Sequence, residues 1–341
     1  MKKTTGIISI ISLTVGFMLL FSDIALCKTQ ELTLDLFINA QHERYKHCIV
    51  PWINKIEEGT NHQIKITPYF SNSLSPFPQK FNSTKNGLTD IAEGLAYINA
   101  GKFPLTEMLL LPEMGFQTAL QSAKAWWHVY ETMPAMKKEY AGVKVLFMDT
   151  SPSLMICTKK PVKSLKDLKG LKIQATGTIG VKTAEALGFT PVAMTPGEVY
   201  LAIDKGVIDG CISDNEMFIS RKIYEVAPNL LTNLSMGHAQ FYMIMNQSVW
   251  NKFPDDIKKV FNKYCGDWAV NFFGTERDKG ELASRKKSIE FGAHMNALSA
   301  ADKAKAKELL APVKNNYAME LERKGIPGKK ALAEYEKFAQ E

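Results

Sequence analysis

The residues best suited to binding chemistry stand at 170–180, "GLKIQATGTIG". A short apolar strand runs there into a threonine- and glycine-rich turn that opens a helix. Backbone N–H groups at a helix start lack partners within the helix and attract anions or polar groups. The strand ends in Gln174 rather than a charged residue, and Thr176 and Thr178 follow it in the turn, so the side chains on offer are neutral hydrogen-bonding groups. Signatures of enzymes are missing. The chain has no GxSxG, P-loop or HExxH pattern, and "GTIG" lacks the dinucleotide fingerprint. His42 and His47 are five residues apart, about 140° around a helix, and do not share a face as metal ligands would. Neither a catalytic centre nor a metal or other cofactor is expected.

The elements that must position this turn are legible between 164 and 215. Strands are expected at 171–175, in "FTPVAM" and in "VIDGCIS", separated by one helix from about 176 to Gly188 and a second opening at "TPGE" and ending at Gly206. Threonine and glutamate at capping-box spacing, with proline at the first helical position, mark that second start. The crossovers are too short for anything but parallel neighbours. The N-terminal part repeats the order with strands in "ELTLDLFIN", "HQIKITPYF" and "LTDIAEG", a helix over 42–58 and a shorter one in "FPQKFNSTKNG". The last ninety residues read as long amphipathic helices laid over both halves. Ligands gather outside the carboxyl ends of parallel strands. Those ends are Asn39, the "FSNSLSPF" loop, 94–97 including Tyr97, 174–178 and 213–215. Two such sheets facing one another would line a single cleft, as in hinged binding proteins. Phe241 and Tyr242 fall near the hinge. Trp126 and Trp127 are adjacent on a helix and are assigned to packing.

The bulk numbers agree with a soluble globular chain: 45% apolar and 23% charged residues in 341. The N-terminus is the exception. Lys2 and Lys3 precede an uncharged stretch, 6–21, with the layout of a secretory signal, giving 1–27 as a leader and periplasmic localisation. "IALC" also resembles a poor lipobox that would make Cys27 a lipid anchor, and an uncleaved anchor helix is a third reading. Removing Lys2, Lys3 and Asp23 lowers the net charge from +7 to +6. The basic residues are scattered among acids, which argues against a nucleic-acid groove. Cys48, Cys157, Cys211 and Cys265 have no CxxC spacing and read as buried apolar residues, with one bridge left open.

At "LKDLKGLKI…EALGFTPVAMTPGEVYLAIDKGVIDG" the sequence resembles the DctP-like solute-binding proteins of tripartite ATP-independent periplasmic (TRAP) transporters. The likeness continues through "VPWINKIEEGT", "IKITPYFSNSLS", "GKFPLTEMLLLPEMGF" and "MNQSVWNKFPDDIKKVF". The resemblance implies two α/β lobes, each a mostly parallel sheet flanked by helices, with a ligand cleft between them and long C-terminal helices bridging both. Lobe 1 would be 28–152, completed by part of 240–275, and lobe 2 would be 153–239, completed by part of 276–341. It also implies a monomer that closes on a small solute and delivers it to small and large membrane permease subunits. A sensor or receptor as the partner is the alternative.

Family members that bind organic acids usually carry an arginine on the strand after "GLKI", where this chain has Gln174. A second arginine is common where this chain has Leu154. The aromatic residue before "GEVY" is Pro196 here, and the family's "DGQENP" becomes "DGCISD", placing Ser213 and then Asp214 at its ligand-binding asparagine. Asn39 is retained as a polar contact, whereas Phe77 and Leu95 stand at polar positions. A desolvated carboxylate without a cationic partner costs several kcal/mol. The expected solute is therefore neutral or largely apolar, an aromatic one included. Asp214, if it faces the cleft, admits an amine. An ordinary organic acid would need an arginine outside the family pattern, such as Arg44 or Arg221.

Overall fold

The computed structural model describes residues 29–99, 101–175 and 177–340. The leader, Cys27 and Thr176 lie outside the described residues. Alternation in "QELTLD" gives strand β1 (Gln30–Asp35), which buries Leu32 and Leu34 on one face. It pairs in parallel with β2 (Ile64–Tyr69) and β3 (Ile91–Leu95). β4 (Val143–Thr150) and the later β10 complete a first sheet in the order β2-β1-β3-β10-β4. The second sheet holds β5 (Met155–Thr158), β6 (Lys172–Gln174), β7 (Thr190–Val192), β8 (Gly210–Ser213), β9 (Asn229–Leu231) and β11 (His294–Asn296), in the order β11-β9-β5-β8-β6-β7. β10 (Gln240–Asn246) returns the chain to the first sheet, where it runs antiparallel to both of its neighbours.

Parallel pairing holds within the β1–β3 and β6–β8 units. Antiparallel pairing enters at β5 and β10, the strands on which the chain has just crossed between sheets. The two short crossings, 151–154 and 232–239, are hydrogen-bonded to each other: Ser151 N–H to Ala239 O, Leu154 N–H to Gly237 O and Met236 N–H to Leu154 O, each at 2.9 Å. Gly237 has φ +86°, and an added Cβ would stand 2.6 Å from the Leu110 backbone, so only glycine fits that crossing.

Local chemistry explains the departures from the expected elements. The helix expected over 42–58 starts with a π turn, Tyr45–Ile49, and becomes α-helical at Val50–Gly59, where Pro51 falls in the first turn. It buries Ile49, Trp52, Ile53 and Ile56 on one side. At "TPGE" the Thr195 N–H and hydroxyl both donate to Glu198, but regular helix begins only at Val199 and ends at Asp204.

Among the C-terminal helices, Gly266–Glu290 ties the lobes together. Asp278 accepts from the N–H groups of Ala119 (2.7 Å) and Leu120 (3.2 Å), capping the helix Ala119–Thr132 beside the first sheet. One turn on, Glu281 accepts from Asn215, whose own carbonyl accepts from Ser288; Asn215 opens the short helix Asn215–Ser220 after β8. Gly274 lets the long helix approach, since a Cβ there would meet Leu120 Cα at 2.7 Å. Backbone cannot yield as a side chain can. Gly274→Leu is expected to lower unfolding free energy by about 2–3 kcal/mol. Gly274→Ala should cost less, because its better helix propensity returns about 1 kcal/mol. Urea denaturation measures both, and an unchanged Gly274→Leu midpoint would contradict this packing.

Candidate functional site

A cavity of about 430 Å³ lies between the two sheets. The first lobe contributes the segments after β1, β2 and β3, among them Phe37, Asn72, Phe77 and Tyr97. The second contributes Pro196 and the helix that starts behind Asp214. The loop after β2 is fixed from below. Asp35, at the carboxyl end of β1 and fully buried, accepts hydrogen bonds from Ser75 Oγ and Lys80 Nζ. A buried pair of this kind holds a loop because breaking it strands a charge. The loop it holds presents Phe77.

Aromatic rings form the apolar wall. Phe37 lies 4.9 Å from Phe77 and stacks on Phe241 at 6.1 Å, centroid to centroid. Two guanidinium groups cover Phe241, Arg277 at 4.2 Å and Arg44 at 4.8 Å from its centroid. Both converge on one buried carboxylate. Arg44 donates from Nη2 to Asp149 Oδ1 (3.0 Å) and Oδ2 (3.1 Å), and Arg277 donates from Nε to Oδ2 (3.3 Å). Arg44 also pairs with Glu93, which is fully buried on β3. Arg277 is 7% exposed, and its Nη2 is buried with no hydrogen-bond partner.

On the opposing wall stand Asp214, Glu216 and Arg221. Burial, with the Glu216 charge adding to it, pushes the Asp214 carboxyl up to about 6. Asp214 also caps its helix, accepting from Met217 N–H at 2.7 Å. His42 spans the cleft, with Nε2 3.3 Å from Glu216 Oε1 while Nδ1 accepts from Arg44 N–H at 3.2 Å. Burial first, then the Arg277 charge, holds the His42 pKa down to about 3, so the ring is neutral and its Nε2–H is the donor to Glu216. Taken as fully ionised, Arg44, Arg221 and Arg277 face Glu93, Asp149, Asp214 and Glu216. Three positive charges against four negative leave −1.

Of the residues singled out in the sequence, Phe77, Leu95, Tyr97, Leu154, Pro196 and Asp214 line this cavity. Gln174 lies beside it, in two crevices of about 50 and 20 Å³ that share Tyr97 and Ile212 with the main cavity. Asn39 is exposed and outside the lining; its Oδ1 accepts from Gln41 N–H, an Asx turn at the loop tip. Thr178 is exposed on the outer turn of helix Gly177–Leu187. Ser213 is fully buried and donates to its neighbour's carbonyl, Asp214 O. The tryptophans Trp126 and Trp127 are buried core. Sequence reasoning missed Phe37, His42, Glu216 and Arg277 and gave no cavity role to Arg44 or Arg221 beyond the acid-binding alternative. Leu154 and Gln174 bring no cation to the cleft, but guanidinium groups reach it from other elements. Phe37 was discoverable as the first aromatic beyond β1. Arg277 carries no mark in a helix rich in charges. The four described cysteines are all buried and unpaired. Among the described residues, no cluster could hold a metal ion and no helix is long and apolar enough to cross a membrane.

Known proteins place this geometry. A monocarboxylate 2-oxoacid-binding periplasmic protein from a Nostoc species is 26% identical over 61% of this chain and 57% of its own length, so the alignment spans little more than half of that relative. A TRAP solute-binding protein from Rhodoferax ferrireducens, solved with copurified benzoate, superposes with a TM-score of 0.85 at 24% identity, covering 92% of this chain and 98% of its own. One from an unidentified marine microbe, specific for aromatic acid ligands and solved with 3-hydroxybenzoate, gives 0.86 at 25% identity, covering 91% and 98%. The family model for bacterial extracellular solute-binding protein, family 7 (DctP), matches residues 38–320, and this chain belongs to that family.

Proposed function

We propose that the chain is the exported binding subunit of a TRAP transporter, without catalytic activity, and that it captures a small, largely apolar aromatic solute bearing at most one carboxylate for delivery to membrane permease subunits. The observation that carries this reading is Arg277. Its Nε is committed to Asp149, it covers the Phe241 ring, and its Nη2 is a buried donor left without a partner on the cavity wall. A buried unsatisfied donor costs about 1–3 kcal/mol, and a ligand oxygen would recover that. That donor edge suits one carboxylate. A second would meet Asp214 and Glu216 on the opposing wall. The stacked Phe37, Phe77 and Phe241 suit an aryl ring. The benzoate and 3-hydroxybenzoate held by the two similar proteins have this form.

Calorimetry with three probes tests the class. Benzoate-like acids are expected to bind, their uncharged amides to bind more weakly, and succinate not to bind; tight binding of succinate alone would reject the proposal. Arg277→Gln should weaken the aryl acid by about 2–3 kcal/mol, the worth of a charge-assisted hydrogen bond, while the fold persists because Arg44 still satisfies Asp149.

Affinity should also depend on pH with a definite sign. Above pH 6 Asp214 is ionised and repels a bound carboxylate; below it, Asp214 takes up a proton. The aryl acid is therefore expected to bind several-fold more tightly at pH 5.5 than at 7.5. Asp214→Asn should flatten the profile, and the uncharged amide should show none.

A further inference from the structure

Two cysteines that the binding site does not use face each other across the second sheet. Cys157 on β5 and Cys211 on β8 are direct register partners in an antiparallel pair, which puts their side chains on the same face. Both belong to the same apolar cluster as Val199, Ile203 and Phe218, and they are 0% and 1% exposed. Direct antiparallel partners have Cα atoms about 4.5 or 5.5 Å apart, and either spacing lies within the roughly 4.4–6.8 Å that a disulfide spans. Cys48 and Cys265 belong to the other, larger core cluster.

We infer that Cys157 and Cys211 form a structural disulfide in the exported protein, an inference that rests on the export reading above, because the cytosol keeps thiols reduced. The reaction is thiol–disulfide exchange with a disulfide donor of the exporting compartment. One thiolate attacks the donor to give a mixed disulfide, and the second displaces it. The chain loses two protons and two electrons and gains one S–S bond, while the donor leaves as two thiols. The exchange needs both thiols accessible, so it precedes their burial, which is complete in the folded chain. The bridge encloses residues 158–210, which carry β6, β7, the Gln174 turn and the Thr195–Gly197 rim of the cavity. Leu154 immediately precedes β5 and Asp214 immediately follows β8, so the link fixes the strand pair that delivers both residues to the cleft.

Thiol counting by alkylation and mass spectrometry under denaturing conditions tests this. Two samples are compared: protein recovered from the oxidising compartment, and protein reduced, unfolded and refolded in a glutathione/glutathione-disulfide buffer. Both are expected to leave Cys48 and Cys265 alkylated and to yield one cross-linked peptide joining Cys157 to Cys211. Reductant should lower Tm by roughly 5 °C, as expected for a closed loop of this length, and should not lower that of Cys157→Ala. Four free thiols, or bridges involving Cys48 or Cys265, in the refolded protein would overturn the pairing. A bridge on refolding with four thiols in the exported protein would overturn its occurrence in the mature chain. Neither result bears on solute affinity, so failure here is separable from failure of the transport reading.

Discussion

One carboxylate organises the cleft. Asp149 ends a buried strand and receives guanidinium groups from two directions, Arg44 from the first lobe and Arg277 from the long helix. Taking these charges out of water is costly, and that cost is offset by pairing: two guanidinium groups stand against two buried carboxylates, Asp149 and Glu93. Its consequence is geometric: both guanidinium planes are held over Phe241. A flexible arginine would fold back toward solvent. These two cannot.

The polar economy of the cavity follows from that clamp. Much of its charge is paired internally, at Asp149 and Glu93, and the Arg277 Nη2 edge is left without a partner beside the aromatic rings. Asp214 and Glu216 stand on the wall opposite Arg277, so the cavity sets carboxylates on one side against guanidinium groups on the other.

The sequence made the architecture legible because the strands and helix starts obey local rules. β1, β2, β6 and β8 fall where alternation and turn residues placed them, and the capping pair Thr195–Glu198 forms even though the helix starts later. The lining was legible only in part. Phe77, Leu95, Tyr97 and Leu154 follow strand ends, a position that topology predicts. Arg44 and Arg277 reach the cavity through tertiary packing, from a π turn's approach and from the middle of a 25-residue helix, and nothing local distinguishes them from solvated charges. The expectation of a cleft without guanidinium groups failed on this point: it rested on positions 154 and 174, and the arginines of the lining stand on other elements. Asn39 and Thr178 show the converse, polar residues at strand ends whose side chains serve only the turn or the solvent.

The long helix has a mechanical consequence. Its anchors to the two lobes, Asp278 on one side and Glu281 on the other, are about 4.5 Å apart along the axis. Between them lies Gly280, the residue least resistant to bending a helix. A rotation of one lobe against the other would load this single turn like a pintle on a rod, with Arg277 held on the Asp278 side by Asp149 and the wall bearing Asp214 on the other.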